Sequence, residues 1–258
     1  MSKLYLVGMG PGDERLITPL ASAVIAQCSD VVAYGLYLDL LADMTTGKRC
    51  HDLPLGEEIG RARLALDLAA SGKATALVSS GDIGIYAMAT LVFELLDQQL
   101  NGAENHPEWL AVDIEVVPGI SAMQAAASRV GAMLGHDFCT ISLSDLLTPW
   151  QVIEQRLHGA GSGDFVVSFY NPVSKKRDWQ LNTARDILLQ YRPASTPVVI
   201  GRQLTRSDEN IRFTCLGDLK ASDVDMFTLV SVGNRETRHI VNGRKEWIYT
   251  PRGYASKA

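Results

Sequence analysis

Leu4 to Val7 form a short apolar run that stops at Gly8, and a Gly/Pro segment leads from it to a helical start where Thr18 caps and Pro19 opens the first turn. Ile59, Ala62, Leu66 and Ala69 then recur at helical spacing before a second strand-like run, Ala74 to Val78, and a second Gly turn. A further helix places Ile85, Met88, Ala89, Val92 and Leu96 on one face and Glu94, Asp97 and Gln98 on the other. Val112 to Val117 reads as a strand, Pro118-Gly119 breaks it, and Ser121 to Val130 follows as a helix of small residues.

The pattern then begins again. Cys139–Leu143, Phe165–Tyr170 and Val198–Ile200 are strand-like, with helices over Pro149–Leu157 and Leu181–Tyr191 between them. Arg212–Leu216, Phe227–Val232 and Trp247–Tyr249 add strands joined by short turns. This alternation predicts an α/β fold of two α/β domains, the first with a mostly parallel sheet and the second with a mixed one. The Gly- and Ala-rich stretch 118–138 sets the boundary: an N-terminal domain over residues 1–120 and a C-terminal domain over 121–258. A ligand cleft is expected at that break, because open α/β sheets bind ligands outside the carboxyl ends of their strands, where the Gly-rich turns fall.

Composition narrows the class. A chain of 258 residues with 47% hydrophobic content, 10 Pro and no repeats is a globular protein with a substantial core. Its net charge of -5 disfavours nonspecific attachment to nucleic acid or an anionic membrane. The opening residues lack a secretory apolar region and no stretch is long enough to span a bilayer, so a soluble, cytoplasmic protein is expected. Cys28, Cys50, Cys139 and Cys215 form no C-x-x-C pair and read as reduced, mostly buried thiols. His51, His106, His136, His158 and His239 show no metal-ligand spacing, and no metal site is expected.

Three turns carry the candidate chemistry. The first, Gly8-Met9-Gly10-Pro11-Gly12-Asp13, departs from a dinucleotide fingerprint, since Pro11 stiffens it and Asp13 puts a carboxylate where a pyrophosphate would approach. In the second, Ser79-Ser80-Gly81-Asp82-Ile83-Gly84-Ile85-Tyr86, the missing side chain of Gly81 would admit a ligand to the backbone, and the acid at the tip suits amine, hydroxyl or cationic groups. The third, Val117-Pro118-Gly119-Ile120-Ser121-Ala122, offers backbone groups and small side chains. Each could equally be structural punctuation.

Taken together, G-x-G-P-G-D, S-G-D-x-G-x-Y and V-P-G-I-S-A, in this order and spacing, resemble the tetrapyrrole methylase family over essentially the whole chain. That resemblance implies S-adenosylmethionine bound in the cleft between two α/β domains, and a homodimer. Position by position it implicates Pro11, Ser80, Gly81, Asp82, Ile85, Ser121 and Ala122 in cofactor binding, with Asn171 and Gly201, taken to follow strands of the second domain, as weaker matches. Four further segments, Tyr34–Asp39, Ser142–Trp150, Phe169–Arg177 and Thr250–Tyr254, resemble one acceptor-specific branch of the family. They imply a precorrin acceptor, methylated at a ring D carbon while the macrocycle contracts.

A precorrin is edged with carboxylates, and Lys175, Lys176 and Arg177 offer ammonium and guanidinium partners for them; the same cluster could be a solvated loop. Arg235 and Arg238 are candidates of the same kind. Tyr34 and Tyr37, on one side of a helical turn, could pack either on the macrocycle or in the core. Ring contraction calls for a general base. Asp39, His51 and Asp145 are the carboxylate and imidazole candidates, but the sequence selects no catalytic residue among them.

Overall fold

The computed structural model describes residues 2–174 and 177–254 and forms two compact units that divide between Ser121 and Ala122. The first holds strands β1 (Lys3–Gly8), β2 (Asp30–Ala33), β3 (Arg49–Asp52), β4 (Ala74–Ser79) and β5 (Asp113–Val117), all parallel in the order β3-β2-β4-β1-β5. Helices α1 (Pro19–Gln27), α2 (Gly35–Leu40), α3 (Ala42–Thr45), α4 (Glu58–Ala70) and α5 (Met88–Leu100) complete it. Leu4, Leu6, Val32 and Leu77 pack against α4 and α5, while Tyr5, Val7, Val31, Ala76 and Val78 pack on the opposite side with α1. A sheet covered on both faces accounts for the unbroken apolar runs of β1 and β4.

Thr18 caps α1 as its sequence predicts, its Oγ1 accepting from the Ala21 amide at 3.1 Å behind Pro19. Two expectations change. Ile59 lies on α4 but is exposed, the buried face being Ala62, Ala65, Leu66 and Ala69. Ile85 precedes α5 instead of joining its face, because Tyr86 takes a left-handed backbone with φ of 51° that no helix accommodates.

The second unit holds α6 (Ala122–Val130), β6 (Gly131–Ala132), β7 (Phe138–Ser142), α7 (Trp150–Ser162), β8 (Val166–Tyr170), α8 (Gln180–Leu188), β9 (Pro197–Arg202), β10 (Asn210–Cys215), β11 (Thr228–Val232), β12 (Arg238–Asn242) and β13 (Lys245–Tyr249). Its five-stranded sheet runs β10-β9-β11-β8-β7 and is mixed: β7 and β8 are parallel, the other pairings antiparallel. Ile141, Val167, Phe169, Val198, Ile200, Val230 and Val232 face α7 and α8. The other face is closed by α6 and by the small sheet β12-β13-β6, through Val130, Met133 and Ile248.

Candidate functional site

The three Gly turns leave the carboxyl ends of neighbouring strands. In the order β4-β1-β5, Gly8 is level with Ser79 and Val7 with Val117, so parallel pairing alone brings the turns side by side. They then touch backbone to backbone. A Cβ on Gly8 would stand 2.7 Å from both the Gly119 nitrogen and the Gly81 oxygen, and one on Gly119 would overlap the Gly81 carbonyl. Gly10 and Gly81, both left-handed at φ of 80° and 70°, exchange two hydrogen bonds of 3.1 and 2.7 Å. Gly81 is thus demanded by the turn's own conformation, a reason additional to ligand approach.

Asp82 ties the second turn to the third. Its Oδ1 accepts from the Gly84 amide at 2.8 Å and its Oδ2 from the Gly119 amide at 3.0 Å. No basic side chain among the described residues forms an ion pair with it, so at the junction of the turns its carboxylate is met by backbone amides. Asp13 differs from the bare carboxylate expected: it accepts from the Arg15 amide at 2.9 Å and is bridged by the Arg15 guanidinium at 2.6 to 3.1 Å. Pro11 and Ser121 are buried beside this junction, and Ser80 and Ile85 are half-buried, the Ile85 amide donating to the Asp82 carbonyl at 3.2 Å. These residues of the first unit lie at the carboxyl ends of β1, β4 and β5.

Ala122, Asn171 and Gly201 belong to the second unit. Ala122 opens α6, whose Met123 amide donates to the Tyr170 hydroxyl at 3.2 Å. Asn171 follows β8 with φ of 50° and donates from Nδ2 to Ser142 Oγ at 3.0 Å. Gly201 lies inside β9, not beyond it, and a Cβ there would meet the Leu204 side chain at 2.8 Å; its small size is explained by that packing.

Lys175 and Lys176 lie outside the described residues. Arg177 is largely buried and committed to the protein, donating from Nη1 to the Leu143 carbonyl at 3.0 Å and the Asn171 carbonyl at 3.3 Å, with its Nε 3.6 Å from Asp145. Arg235 sits by the opposite end of β8, its Nε 3.3 Å from Asp164, and Arg238 begins the exposed strand β12. Tyr34 and Tyr37 meet edge to face with centroids 5.5 Å apart, and Tyr37 also packs against the apolar core of the first unit. Of the candidate bases, Asp39 is exposed on α2, Asp145 accepts from Gln180 Nε2 at 3.1 Å, and His51 Nε2 lies 2.9 Å from the buried Asp30.

Two left-handed residues follow β9 without any signal in the residue types, Gln203 (φ 49°) and Thr205 (φ 66°). Thr205 is β-branched, which makes that backbone costly. Its amide is held at 2.6 Å by Glu209, which also bridges Arg129. A glycine or asparagine would have signalled such a turn; a threonine does not.

Among the thiols only Cys28 is buried, against the expectation that most would be, and burial pushes it up to about 11. Asp67, His106 and Glu108 bring potential metal ligands within 4.8 Å of one another. Their polar atoms already serve the fold: Asp67 accepts from Trp109 Nε1 at 2.7 Å, and His106 Nδ1 pairs with Glu108 at 3.1 Å. No helix among the described residues is long and apolar enough to cross a membrane.

Three glycine turns locked together around Asp82, in a chain of two α/β units, define a class, and the family model of the tetrapyrrole (corrin/porphyrin) methylases matches residues 3–220: the chain belongs to that family. It is 43% identical to a precorrin-3B C(17)-methyltransferase of a Sinorhizobium species, covering 98% of this chain and 97% of the relative. It is likewise 43% identical to a probable cobalt-factor III C(17)-methyltransferase of Salmonella typhimurium, covering 97% and 99%. Among solved structures, that of the methyltransferase CobJ superposes with a TM-score of 0.87 at 40% identity, covering 96% of this chain and 99% of that one.

Proposed function

We propose that the protein is an S-adenosylmethionine-dependent C-methyltransferase that methylates precorrin-3B at C-17 on ring D and contracts the macrocycle to precorrin-4, in cobalamin synthesis. Near-complete alignment with a relative named for that reaction supports the acceptor. The observation that carries the cofactor reading is Asp82: a carboxylate held in place by two backbone amides, with no cationic side chain among the described residues paired to it, attracts a sulfonium or ammonium and repels a pyrophosphate.

The donor supplies an electrophilic methyl group for in-line displacement by carbon. The chain's own contribution is orientation, and alignment of two reactants is worth roughly 7 to 11 kcal/mol. Pro11, Ser80, Gly81, Asp82, Ile85 and Ser121 would hold the cofactor from the first unit, and Ala122, Asn171 and Gly201 from the second. Lys175 and Lys176 are the cations offered to the acceptor's acidic arms. Arg177 is engaged by two carbonyls and Asp145, and Arg235 by Asp164, so both have less to offer. A cytoplasmic homodimer completes the reading.

Calorimetry tests the cofactor: S-adenosylhomocysteine should bind and NAD should not. Asp82→Asn should weaken S-adenosylhomocysteine about tenfold or more, since a hydrogen-bonded charge contributes about 1.5 to 3 kcal/mol. Methyl transfer from labelled donor to precorrin-3B, compared with cobalt-factor III, then decides the acceptor. Tight NAD binding, or labelling of neither tetrapyrrole, would overturn the assignment.

A further inference from the structure

Leu146 and Leu147, adjacent on the loop between β7 and α7, are 82% and 98% exposed, the largest values among the exposed large apolar residues described. The loop beneath them is fixed on both sides. Leu143 is fully buried and donates its amide to the Tyr170 carbonyl at 2.9 Å, while its own carbonyl receives the Arg177 guanidinium. Asp145 accepts from the buried Gln180, and Trp150, one residue past Pro149, meets Trp179 edge to face at 4.7 Å. Ser144–Pro149 contains no glycine hinge, so the two leucines are held out in water by a stiff stem.

We propose that Leu146 and Leu147 form an apolar contact for the face of the tetrapyrrole acceptor, and that Arg177 is the positioning residue that holds this contact in place. The inference rests on the methylase reading above. The stem that raises the leucines also fixes Asn171, through Ser142 Oγ and through Arg177, so the tip stands at the carboxyl ends of β7 and β8 beside a residue matched to the family's cofactor set. Asp145, the acid nearest the tip in sequence, is neutralised by Arg177 and occupied by Gln180, and so does not repel a polycarboxylate. An acceptor that is an apolar disc edged with acids fits apolar side chains here.

The test is equilibrium binding of uroporphyrin III, a polycarboxylate tetrapyrrole, followed by its absorbance, together with acceptor kinetics. Leu146→Ser/Leu147→Ser should weaken uroporphyrin binding and raise the acceptor KM by about tenfold or more, consistent with loss of two apolar contacts. The melting temperature, kcat and S-adenosylhomocysteine affinity should stay within about twofold or a degree or two of wild type. The loss should persist in high salt, unlike losses from the lysines. Arg177→Gln should weaken the same binding in the wild-type loop yet cost little more in the double-serine background, since it acts through the tip. Arg177→Lys, which cannot span both carbonyls, should fall between.

Equal uroporphyrin affinity in wild type and double variant would overturn the proposal while leaving the methylase reading intact. No tetrapyrrole binding by wild type would overturn both. Dissociation of an oligomer with unchanged acceptor binding would assign the leucines to an interface between copies, and additive effects of Arg177→Gln and the serine changes would remove its positioning role.

Discussion

At the carboxyl ends of β4, β1 and β5 the first unit turns on glycines whose backbones touch, and one aspartate bonded to two amides fastens them. The second unit turns at the ends of β7, β8 and β9 on residues with side chains, Asn171, Gln203 and Thr205, and fastens them with long charged groups, Arg177 and Glu209. The first arrangement leaves no room for variation at its junction. The second fixes loop backbones from a distance and leaves tips free to differ. A common cofactor suits the former, and an acceptor that differs between family branches suits the latter.

The sharpest way to break this contrast is Gly119→Ala. Its Cβ would overlap the Gly81 carbonyl and the Gly8 backbone, none of which is a flexible side chain. A loss of about 4 kcal/mol or more is expected in urea denaturation. Gly72→Ala, with φ of 90° but open space around it, should lose only about 1 to 2 kcal/mol. Equal losses would mean that the junction is not close-packed in solution.

Next comes the buried strut of the second unit. Arg192 donates to the carbonyls of Phe165 at 3.0 Å, Gly233 at 2.5 Å and Ala160 at 3.3 Å, and burial lowers its affinity for the proton. Arg192→Met should cost about 2 to 4 kcal/mol, because three carbonyls lose their donor. Hydrogen exchange should show the loss in β8 and β11 first; loss of protection starting instead in β1 and β4 would count against independent anchoring of the units.

The smallest effect is the pH response of Asp30, fully buried at the start of β2. Burial pushes its carboxyl up, but hydrogen bonds from His51 and Ser29 and the charge of Lys73 outweigh that and bring it below the ordinary carboxylate value. A depressed acid contributes stability that is complete above about pH 4 and is lost as pH falls through the folded value. Acid should therefore loosen the first unit at its β2–β3 edge, and Asp30→Asn should flatten stability against pH below about 4. An unchanged acid limb in the variant would show that other carboxylates dominate.

Local sequence determined the elements whose burial is periodic and whose ends are marked. β1, β4, α1 and α4 could be read directly, because apolar spacing and the Thr18-Pro19 start act within a few residues. The three turns were legible for the same reason, and their order carried the family. Two edge strands were not: β3, Arg-Cys-His-Asp, and β12, Arg-His-Ile-Val-Asn, have little apolar pattern because an edge strand need bury little. Only the tertiary structure decided that Asp82 fastens one turn to another 37 residues away, that Arg177 is turned inward, and that Leu146 and Leu147 are held outward. Charge and hydrophobicity state what a side chain prefers, and the carbonyls or solvent it meets are fixed by chain segments far away in sequence.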